Sequence, residues 1–173
     1  MIQLILGGAR SGKSRLAEQI AQQLGKTVIY VATAQAGDAE MQARIQHHRQ
    51  QRPKTWKLCE EPLYLAQQLK VLDHPNAVIL VDCLTLWMSN LLMQSAENFA
   101  EQQISALLDV LTHLQADIIL VSNETGLGVV PMGEITRKFV DETGRLHQQL
   151  GEIADKVQFC VAGFPMLLKG ENQ

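Results

Sequence analysis

The strongest chemical signal in the sequence is a glycine-rich segment near its beginning. Residues 7–14 match the phosphate-binding pattern G-x-x-x-x-G-K-[ST] at every fixed position. Glycines let the backbone curl so that several N–H groups face one anion, and the N-terminus of the following helix adds partial positive charge. The pattern predicts that Lys13 contacts the β- and γ-phosphates of a nucleotide and that the Ser14 hydroxyl binds Mg²⁺. The predicted phosphate-binding residues are Gly7, Gly8, Ala9, Arg10, Ser11, Gly12, Lys13 and Ser14.

Two acidic residues come after apolar segments and are candidates for the same crevice. Asp82 directly follows residues 78–81, and Glu124 follows residues 118–121 after a Ser-Asn pair. In P-loop proteins an aspartate at such a place holds Mg²⁺ or one of its waters, which makes Ser14 and Asp82 the candidate metal ligands. Asp82 could instead end a strand without a ligand, or contact the guanosine moiety of a nucleotide. Because the carboxyl ends of parallel strands line the crevice, Glu124 faces the γ-phosphate or the phosphate acceptor, or else caps the helix that follows.

A third segment, residues 43–53, contains two adjacent histidines among three arginines. One interpretation is a solvated basic helix end, which its own dipole favours. A metal site is disfavoured, because adjacent residues on a helix point about 100° apart and no third ligand lies near in the sequence. The remaining interpretation is a nucleophilic imidazole, from His48 or His47, with Arg49 and Arg52 holding phosphates.

The elements that must position these residues alternate along the chain. Short runs rich in Val, Ile and Leu are typical of strands buried on both faces, and they are separated by segments with helical periodicity. The alternation predicts an α/β fold with a mostly parallel sheet flanked by helices, and the short linkers predict a single domain over residues 1–173. Predicted strands are residues 3–6, 28–32, 78–81, 118–121 and 157–161. Predicted helices are residues 13–24, 38–51, 62–72, 84–93, 97–114 and 134–154.

Two of the predicted helices have informative apolar patterns. The helix over residues 84–93 is apolar on more than one face, which fits either a buried core helix or an interface between subunits. The last helix is expected to bury one apolar stripe, which consists of Ile135, Phe139, Leu146, Leu150 and Ile153.

Composition excludes several classes of protein. The net charge is −3, apolar residues make up 46% and charged residues 19% of the chain, which is typical of a globular protein and not of a disordered one. The sequence contains no run of 18 apolar residues, so no membrane span is predicted. The mild acidity of the chain, with a pI of about 5.9, argues against a general nucleic-acid binder, which would need a basic face. No signal peptide is expected at the start. The three cysteines form no C-x-x-C pair, which fits reduced thiols in the cytoplasm.

Several motifs distinguish the sequence from other P-loop proteins. It lacks the N-K-x-D motif of switch GTPases and the Arg-rich lid of small-molecule kinases. Distinctive segments instead run in order from the first predicted strand to the last predicted helix. They are G-G-A-R-S-G-K-S at 7–14, Y-V-A-T-A at 30–34, E-M at 40–41, R-I at 44–45, H-R at 48–49, R-P at 52–53, Trp56, E-E-P at 60–62, V-D-C-L-T at 81–85, N-E-T-G at 123–126, Gly128, Pro131, Arg137, Phe139, Asp141 and Gly144. Together they resemble the family of bifunctional adenosylcobinamide kinase/adenosylcobinamide-phosphate guanylyltransferases of cobalamin biosynthesis.

The resemblance implies a RecA-like P-loop NTPase fold, a homotrimer and two reactions that use ATP or GTP with Mg²⁺. The first transfers a terminal phosphate to the hydroxyl of adenosylcobinamide, a corrinoid. In the second, GTP guanylylates an enzyme histidine, and the GMP then passes to the cobinamide phosphate. The histidine of the family pattern R-I-x-x-H-R falls on His48, which leaves His47 in a supporting role.

The resemblance also implies further nucleotide contacts. One acidic contact falls on Glu60 or its neighbour Glu61, either of which could instead cap a helix at Pro62. A kinase without guanylyl transfer and a regulatory nucleotide-binding module are the alternative functions. The implied contacts are Ala32, Thr33, Ala34, Arg49, Gln50, Gln51, Arg52, Glu60 and Asp82.

Overall fold

The computed structural model of the chain describes residues 1–35, 53 and 55–171. In these residues the strands are β1 (Ile2–Gly7), β2 (Thr27–Ala32), β3 (Lys57–Glu60), β4 (Ala77–Asp82), β5 (Asp117–Asn123), β6 (Lys156–Val161) and β7 (Phe164–Lys169). The helices are α1 (Lys13–Gln23), α2 (Leu65–Leu72), α3 (Leu84–Leu92), α4 (Phe99–Leu111) and α5 (Glu134–Ile153).

One sheet contains all seven strands, in the order β3-β2-β4-β5-β1-β6-β7. Every neighbouring pair is parallel except β6 and β7, which form an antiparallel hairpin. The mostly parallel sheet predicted from the sequence is therefore confirmed. Strand β5 lies between β1 and β4, so the strand that leads into the phosphate-binding segment and the strand that ends in Asp82 are both its neighbours.

Helices cover both faces of the sheet and bury two apolar clusters. On one face, α1 presents the small residues Ala17 and Ala21 to inward side chains such as Ile5 and Leu80. On the other face, α2, α3, α4 and α5 enclose a larger cluster that includes the fully buried Trp87. Because nearly all the side chains of the central strands are buried, these strands read as continuous apolar runs in the sequence.

The predicted elements agree with the structure where burial is strong. Five strands and five helices are confirmed with shifts of a few residues at their ends, and the predicted helix over residues 38–51 lies outside the described residues. Helix α3 buries residues on several faces in the core. One detail of the predicted stripe on α5 is wrong, because Ile135 in its first turn is 73% exposed.

Sequence reasoning missed the two edge strands, β3 and β7. A strand at the edge of a sheet has one strand neighbour, and the residues of β3 and β7 are mostly exposed. Neither strand therefore needs a continuous apolar run of the kind that marks the central strands. Pro165 lies in β7, where an edge strand tolerates a residue without an N–H group.

The beginning of β5 is fixed by an ion-pair cluster at the end of the sheet opposite the phosphate-binding segment. The Asp117 carboxylate lies 3.2 Å from the N-terminal amine of Met1 and 2.7 Å from Lys26 Nζ. Burial by itself would raise the pKa of Asp117, but hydrogen bonds and charge from Lys26 and the amine outweigh it and hold that pKa below its ordinary value. The cluster joins β1, β5 and the turn after α1.

We expect Asp117→Asn to lower the free energy of unfolding near neutral pH by about 1 kcal/mol. Because the folded-state pKa of Asp117 is depressed, its contribution is present above the unfolded-state pKa and is lost as the pH falls through the folded-state value. The stability difference between wild type and variant should therefore shrink as the pH falls below about 4. Urea unfolding at pH 7 and across the acid range measures it, and a difference that stays constant or grows towards low pH would contradict this role.

Candidate nucleotide-binding site

The phosphate-binding segment forms the turn between β1 and α1, so it lies at the carboxyl edge of the parallel strands. Gly12 adopts a left-handed conformation, with φ 95°, directly before the first residue of α1. The Lys13 side chain is buried, and its Nζ atom donates a hydrogen bond to the Gly8 carbonyl at 3.1 Å. The ammonium group is therefore held over the loop at a helix N-terminus, which is the arrangement that receives a phosphate.

Two glycines of this loop are required by close packing. A Cβ atom at Gly7 would lie 2.5 Å from Ser11 Oγ and 2.7 Å from the Cys160 carbonyl oxygen. A Cβ atom at Gly12 would lie 3.1 Å from the Cα atom of Gly163, in the turn of the β6–β7 hairpin. The Gly163 N–H also donates to the Ser11 carbonyl at 2.9 Å. The loop is thus supported by the hairpin, a contact that the sequence alone did not indicate.

Ser14 and Asp82 offer the oxygen atoms for a metal ion. The carboxylate of Asp82 is partly buried at the end of β4, and its Oδ2 atom accepts a hydrogen bond from the Tyr30 hydroxyl at 2.9 Å. A hydroxyl and a carboxylate are hard ligands that suit Mg²⁺, which is commonly bound by one or two protein groups together with phosphates and waters. Among the described residues no cluster of three or more His, Cys, Asp or Glu side chains forms an all-protein metal site.

The thiol next to Asp82 does not contribute an anionic ligand. Burial, with a smaller effect of the Asp82 charge, raises the pKa of Cys83 to about 11. Cys83 is therefore a neutral thiol at neutral pH, and the negative charge at this strand end resides on Asp82.

The predicted contacts at the end of β2 have different surroundings. Thr33 is fully buried; its hydroxyl donates to the Cys83 carbonyl at 2.7 Å and accepts from the Cys83 N–H at 3.0 Å. The Asn90 side chain donates to the Thr33 carbonyl. Thr33 thus joins the ends of β2 and β4 and orients the backbone beside Asp82, while Ala34, one residue further along, is partly exposed.

The two candidate glutamates after β3 have separate positions. The Glu61 carboxylate accepts hydrogen bonds from the N–H groups of Leu63 and Tyr64, at 2.9 and 2.7 Å, and so caps the turn that leads into α2. Glu60 is paired with Ala32 in the sheet and has an exposed side chain. Of the two, Glu61 is therefore the residue whose carboxylate caps the turn before α2.

A series of polar side chains leads from Glu124 into the core, and the sequence analysis did not predict it. Its members are Glu124, His147, Ser122 and Thr85, which belong to the end of β5, to α5 and to α3. The capping interpretation of Glu124 is wrong for the next helix, because α5 begins ten residues later at Glu134. The signal for His147 was its place on the apolar stripe of α5, next to Leu146, where a polar side chain needs buried partners.

The predicted guanylylation segment lies outside the described residues. It comprises His47, His48, Arg49, Gln50, Gln51 and Arg52. Their roles remain predictions from the sequence pattern.

The sheet order, the phosphate loop and the aspartate at the end of β4 define a P-loop NTPase with a RecA-like sheet. The fold is similar to that of the RadB recombinase, with a TM-score of 0.50 and 19% identity over 91% of this chain and 73% of that one. A protein from Pyrococcus horikoshii OT3 gives a TM-score of 0.58 with 8% identity, covering 99% of this chain and 87% of the other. At these identities the likeness establishes the fold alone.

Within this class, the chain belongs to the cobinamide kinase / cobinamide phosphate guanyltransferase family, whose model matches residues 3–168. It is 56% identical over 171 residues to the bifunctional adenosylcobalamin biosynthesis protein CobP of Pseudomonas aeruginosa, covering 99% of each chain. It is 37% identical over 182 residues to the bifunctional protein CobU of Escherichia coli K12, covering 98% of this chain and all of that one. The fold and the family together imply that this enzyme uses a nucleotide.

The packing of the loop predicts that alanine substitution destabilises the protein at one loop glycine and has little effect at another. Gly12→Ala places a Cβ atom on a left-handed residue, which costs about 1–2 kcal/mol, and also presses it against Gly163. Gly8→Ala is the matched control, because a Cβ atom there would meet nothing within 4 Å, and its stability should change by at most about 0.5 kcal/mol. Thermal unfolding of both variants measures the difference; equal melting temperatures would contradict the packing described here.

Proposed function

We propose that the chain phosphorylates adenosylcobinamide and then attaches GMP to the product, giving adenosyl-GDP-cobinamide. Two observations together carry this proposal. The structure has a complete phosphate loop, with Lys13 and Asp82 at the same edge of the sheet, and the family model matches residues 3–168. The two relatives described above are named as bifunctional proteins of adenosylcobalamin biosynthesis.

In the first reaction the hydroxyl oxygen of adenosylcobinamide attacks the γ-phosphorus of ATP or GTP, and the nucleoside diphosphate leaves. Lys13 binds the β- and γ-phosphates and offsets charge that develops on them. Ser14 and Asp82 would hold Mg²⁺, which when bound neutralises phosphate charge. The hydrogen bond from Tyr30 orients the Asp82 carboxylate for this purpose.

In the second reaction an imidazole nitrogen of His48 attacks the α-phosphorus of GTP, and pyrophosphate leaves. A neutral imidazole is available near pH 7 because histidine titrates close to neutrality. The phosphoramidate that forms is labile, so a phosphate oxygen of the cobinamide phosphate can then attack the same phosphorus and free the histidine. Arg49 and Arg52 neutralise phosphate charge, and His47 has a supporting role.

The remaining nucleotide contacts are assigned by the positions of the family motifs. Glu60 is favoured over Glu61, because the Glu61 carboxylate already caps the turn before α2. Thr33 is assigned by its position in the motif alone, since its side chain is bonded to Cys83 and its carbonyl to Asn90. The proposed contacts are the loop residues 7–14 together with Ala32, Thr33, Ala34, Arg49, Gln50, Gln51, Arg52, Glu60 and Asp82.

We also infer that the protein is a single domain, works in the cytoplasm and assembles as a homotrimer. The cysteines of the described residues are free thiols, which fits a reducing compartment. Large apolar side chains of the loop before α5, including Val129 at 95% and Met132 at 96% exposure, lie uncovered in the single chain. Such a group of apolar side chains is typical of an interface. No described helix is long and apolar enough to cross a membrane.

The two chemistries are separated by His48→Ala, tested with GTP labelled on the α-phosphate. Wild type should form an acid-labile, base-stable enzyme–GMP bond, and the variant should not. The variant should still phosphorylate the corrinoid, because phosphoryl transfer to a hydroxyl needs positioning and charge neutralisation but no protein nucleophile. His47→Ala is the matched control and should retain labelling.

Three other outcomes are informative. Label mapped to His47 would leave the mechanism and change the residue. Phosphorylation of the corrinoid by wild type without any labelling would indicate a kinase that lacks guanylyl transfer. Nucleotide binding without either reaction would indicate a regulatory module and would contradict the proposal.

A further inference from the structure

Glu124 lies beside the phosphate loop and has no role in the two reactions proposed above. It is the first residue after β5, the strand between the loop strand β1 and the Asp82 strand β4. Its N–H group donates to the Gly7 carbonyl at 3.1 Å, so its backbone is bonded to the beginning of the loop. Its side chain remains 20% exposed. A carboxylate is thus held at the edge where the terminal phosphate and its acceptor must meet.

Two groups lie against the carboxylate of Glu124, one on each oxygen. Its Oε1 atom accepts a hydrogen bond from the Gly126 N–H at 2.5 Å. Its Oε2 atom lies 3.5 Å from Nδ1 of His147, which is 8% exposed. The hydrogen bond on Oε1 and the buried imidazole beside Oε2 restrict the rotation of the side chain, which is the condition for a group that must meet a reacting atom in one geometry.

Hydrogen bonds behind His147 favour the imidazole form whose Nδ1–H group faces Glu124. The Asn123 N–H donates to Thr85 Oγ1 at 2.6 Å, Thr85 lies 3.2 Å from Ser122 Oγ, and Ser122 lies 2.8 Å from His147 Nε2. Every hydroxyl hydrogen finds an acceptor if Thr85 donates to Ser122 and Ser122 donates to Nε2. The proton of a neutral imidazole then resides on Nδ1, which faces Glu124.

Burial supports the neutral form of this histidine. It lowers the pKa of His147, and the nearby Glu124 carboxylate opposes that shift without reversing it. A neutral imidazole with its proton on Nδ1 turns a polar N–H group towards the Glu124 carboxylate, 3.5 Å away.

The other described carboxylates near this edge have different tasks. Asp82 accepts from Tyr30 and is the candidate metal ligand with Ser14. Glu61 caps the turn before α2, and Glu60 lies on the edge strand β3, separated from β1 by β2, β4 and β5. Glu124 is the carboxylate bonded through its own backbone to the phosphate loop.

We propose that Glu124 is the general base of the phosphoryl-transfer reaction and that His147 is its positioning residue. The hydroxyl oxygen of the acceptor forms a bond to the γ-phosphorus, its proton passes to the Glu124 carboxylate, and the bond from the γ-phosphorus to the bridging oxygen breaks to release the nucleoside diphosphate. The inference rests on the proposed kinase activity. It does not extend to enzyme guanylylation, because a neutral imidazole nitrogen attacks without giving up a hydroxyl proton.

The test of the base compares Glu124→Gln with Glu142→Gln. The glutamine keeps the size of the side chain and an acceptor for Gly126 but cannot take the proton. We expect kcat for corrinoid phosphorylation to fall roughly 10²–10⁴-fold, with KM for both substrates within about threefold and enzyme–GMP labelling retained. Glu142 is the control carboxylate, on α5 and paired with Arg145, and its variant should match wild type in all three measurements.

The test of positioning compares two variants of His147. His147→Asn keeps an N–H donor near the place of Nδ1, whereas His147→Leu removes it. We expect His147→Leu to lower kcat by about tenfold or more and His147→Asn to recover most of that loss, with similar KM values for the two. A purely structural role would instead make the losses follow the melting temperatures of the variants.

Distinct results overturn the different claims. If wild type phosphorylates the corrinoid and Glu124→Gln retains kcat within about threefold, which is far below the usual contribution of a general base, Glu124 is not the base. Equal loss of phosphorylation and GMP labelling would indicate a structural defect instead. If Glu124→Gln does not fold, Glu124→Asp replaces it, because aspartate keeps the charge on a side chain shorter by one methylene. An unchanged kcat of Glu124→Asp would overturn the inference. Wild type without corrinoid phosphorylation overturns the proposed function, and this inference with it.

Discussion

The site depends on parallel strands that end at the same level. Gly7 at the end of β1 is paired with Asn123 of β5, and Asp82 at the end of β4 is paired with Val121 of the same strand. This register places the phosphate loop, the candidate metal carboxylate and Glu124 at one edge of the sheet, although the loop and Glu124 are more than a hundred residues apart in sequence. A one-residue slip of β5 would turn its inward side chains to the opposite face, and the buried clusters on both faces resist such a slip.

Polar side chains buried just behind this edge hold the strand ends together. Thr33 and Asn90 join the end of β2 to the turn after β4 and to α3. Thr85, Ser122 and His147 join α3 to β5 and α5. Since a buried polar group left without a partner costs about 1–3 kcal/mol, each of these bonds opposes displacement of the strand ends. The edge is therefore organised before a nucleotide arrives, which reduces the ordering that binding must pay for.

The sequence predicted the central strands, which burial determines, and the phosphate loop, which its motif determines. The central strands show continuous apolar runs because both their faces are covered. The loop is recognisable because a Cβ atom would clash at Gly7 and would be crowded at the left-handed Gly12. The edge strands β3 and β7 escaped prediction because exposed strands carry weaker patterns. The support of the loop by Gly163 and the chain from Glu124 to His147 could not be predicted, since these contacts join distant residues by tertiary packing alone. The capping role of Glu61 likewise needed its hydrogen bonds to Leu63 and Tyr64 to be seen.

The central claim is that the phosphate loop between β1 and α1 receives the nucleotide at this edge. Hydrogen exchange measured by mass spectrometry, with and without Mg²⁺ and a non-hydrolysable GTP analogue, tests it most directly, because it reports on the backbone N–H groups that would bind the phosphates. The account predicts that nucleotide slows exchange in peptides covering residues 7–14, with smaller effects at the ends of β4 and β5. Unchanged exchange at residues 7–14, with protection confined to other parts of the chain, would contradict it.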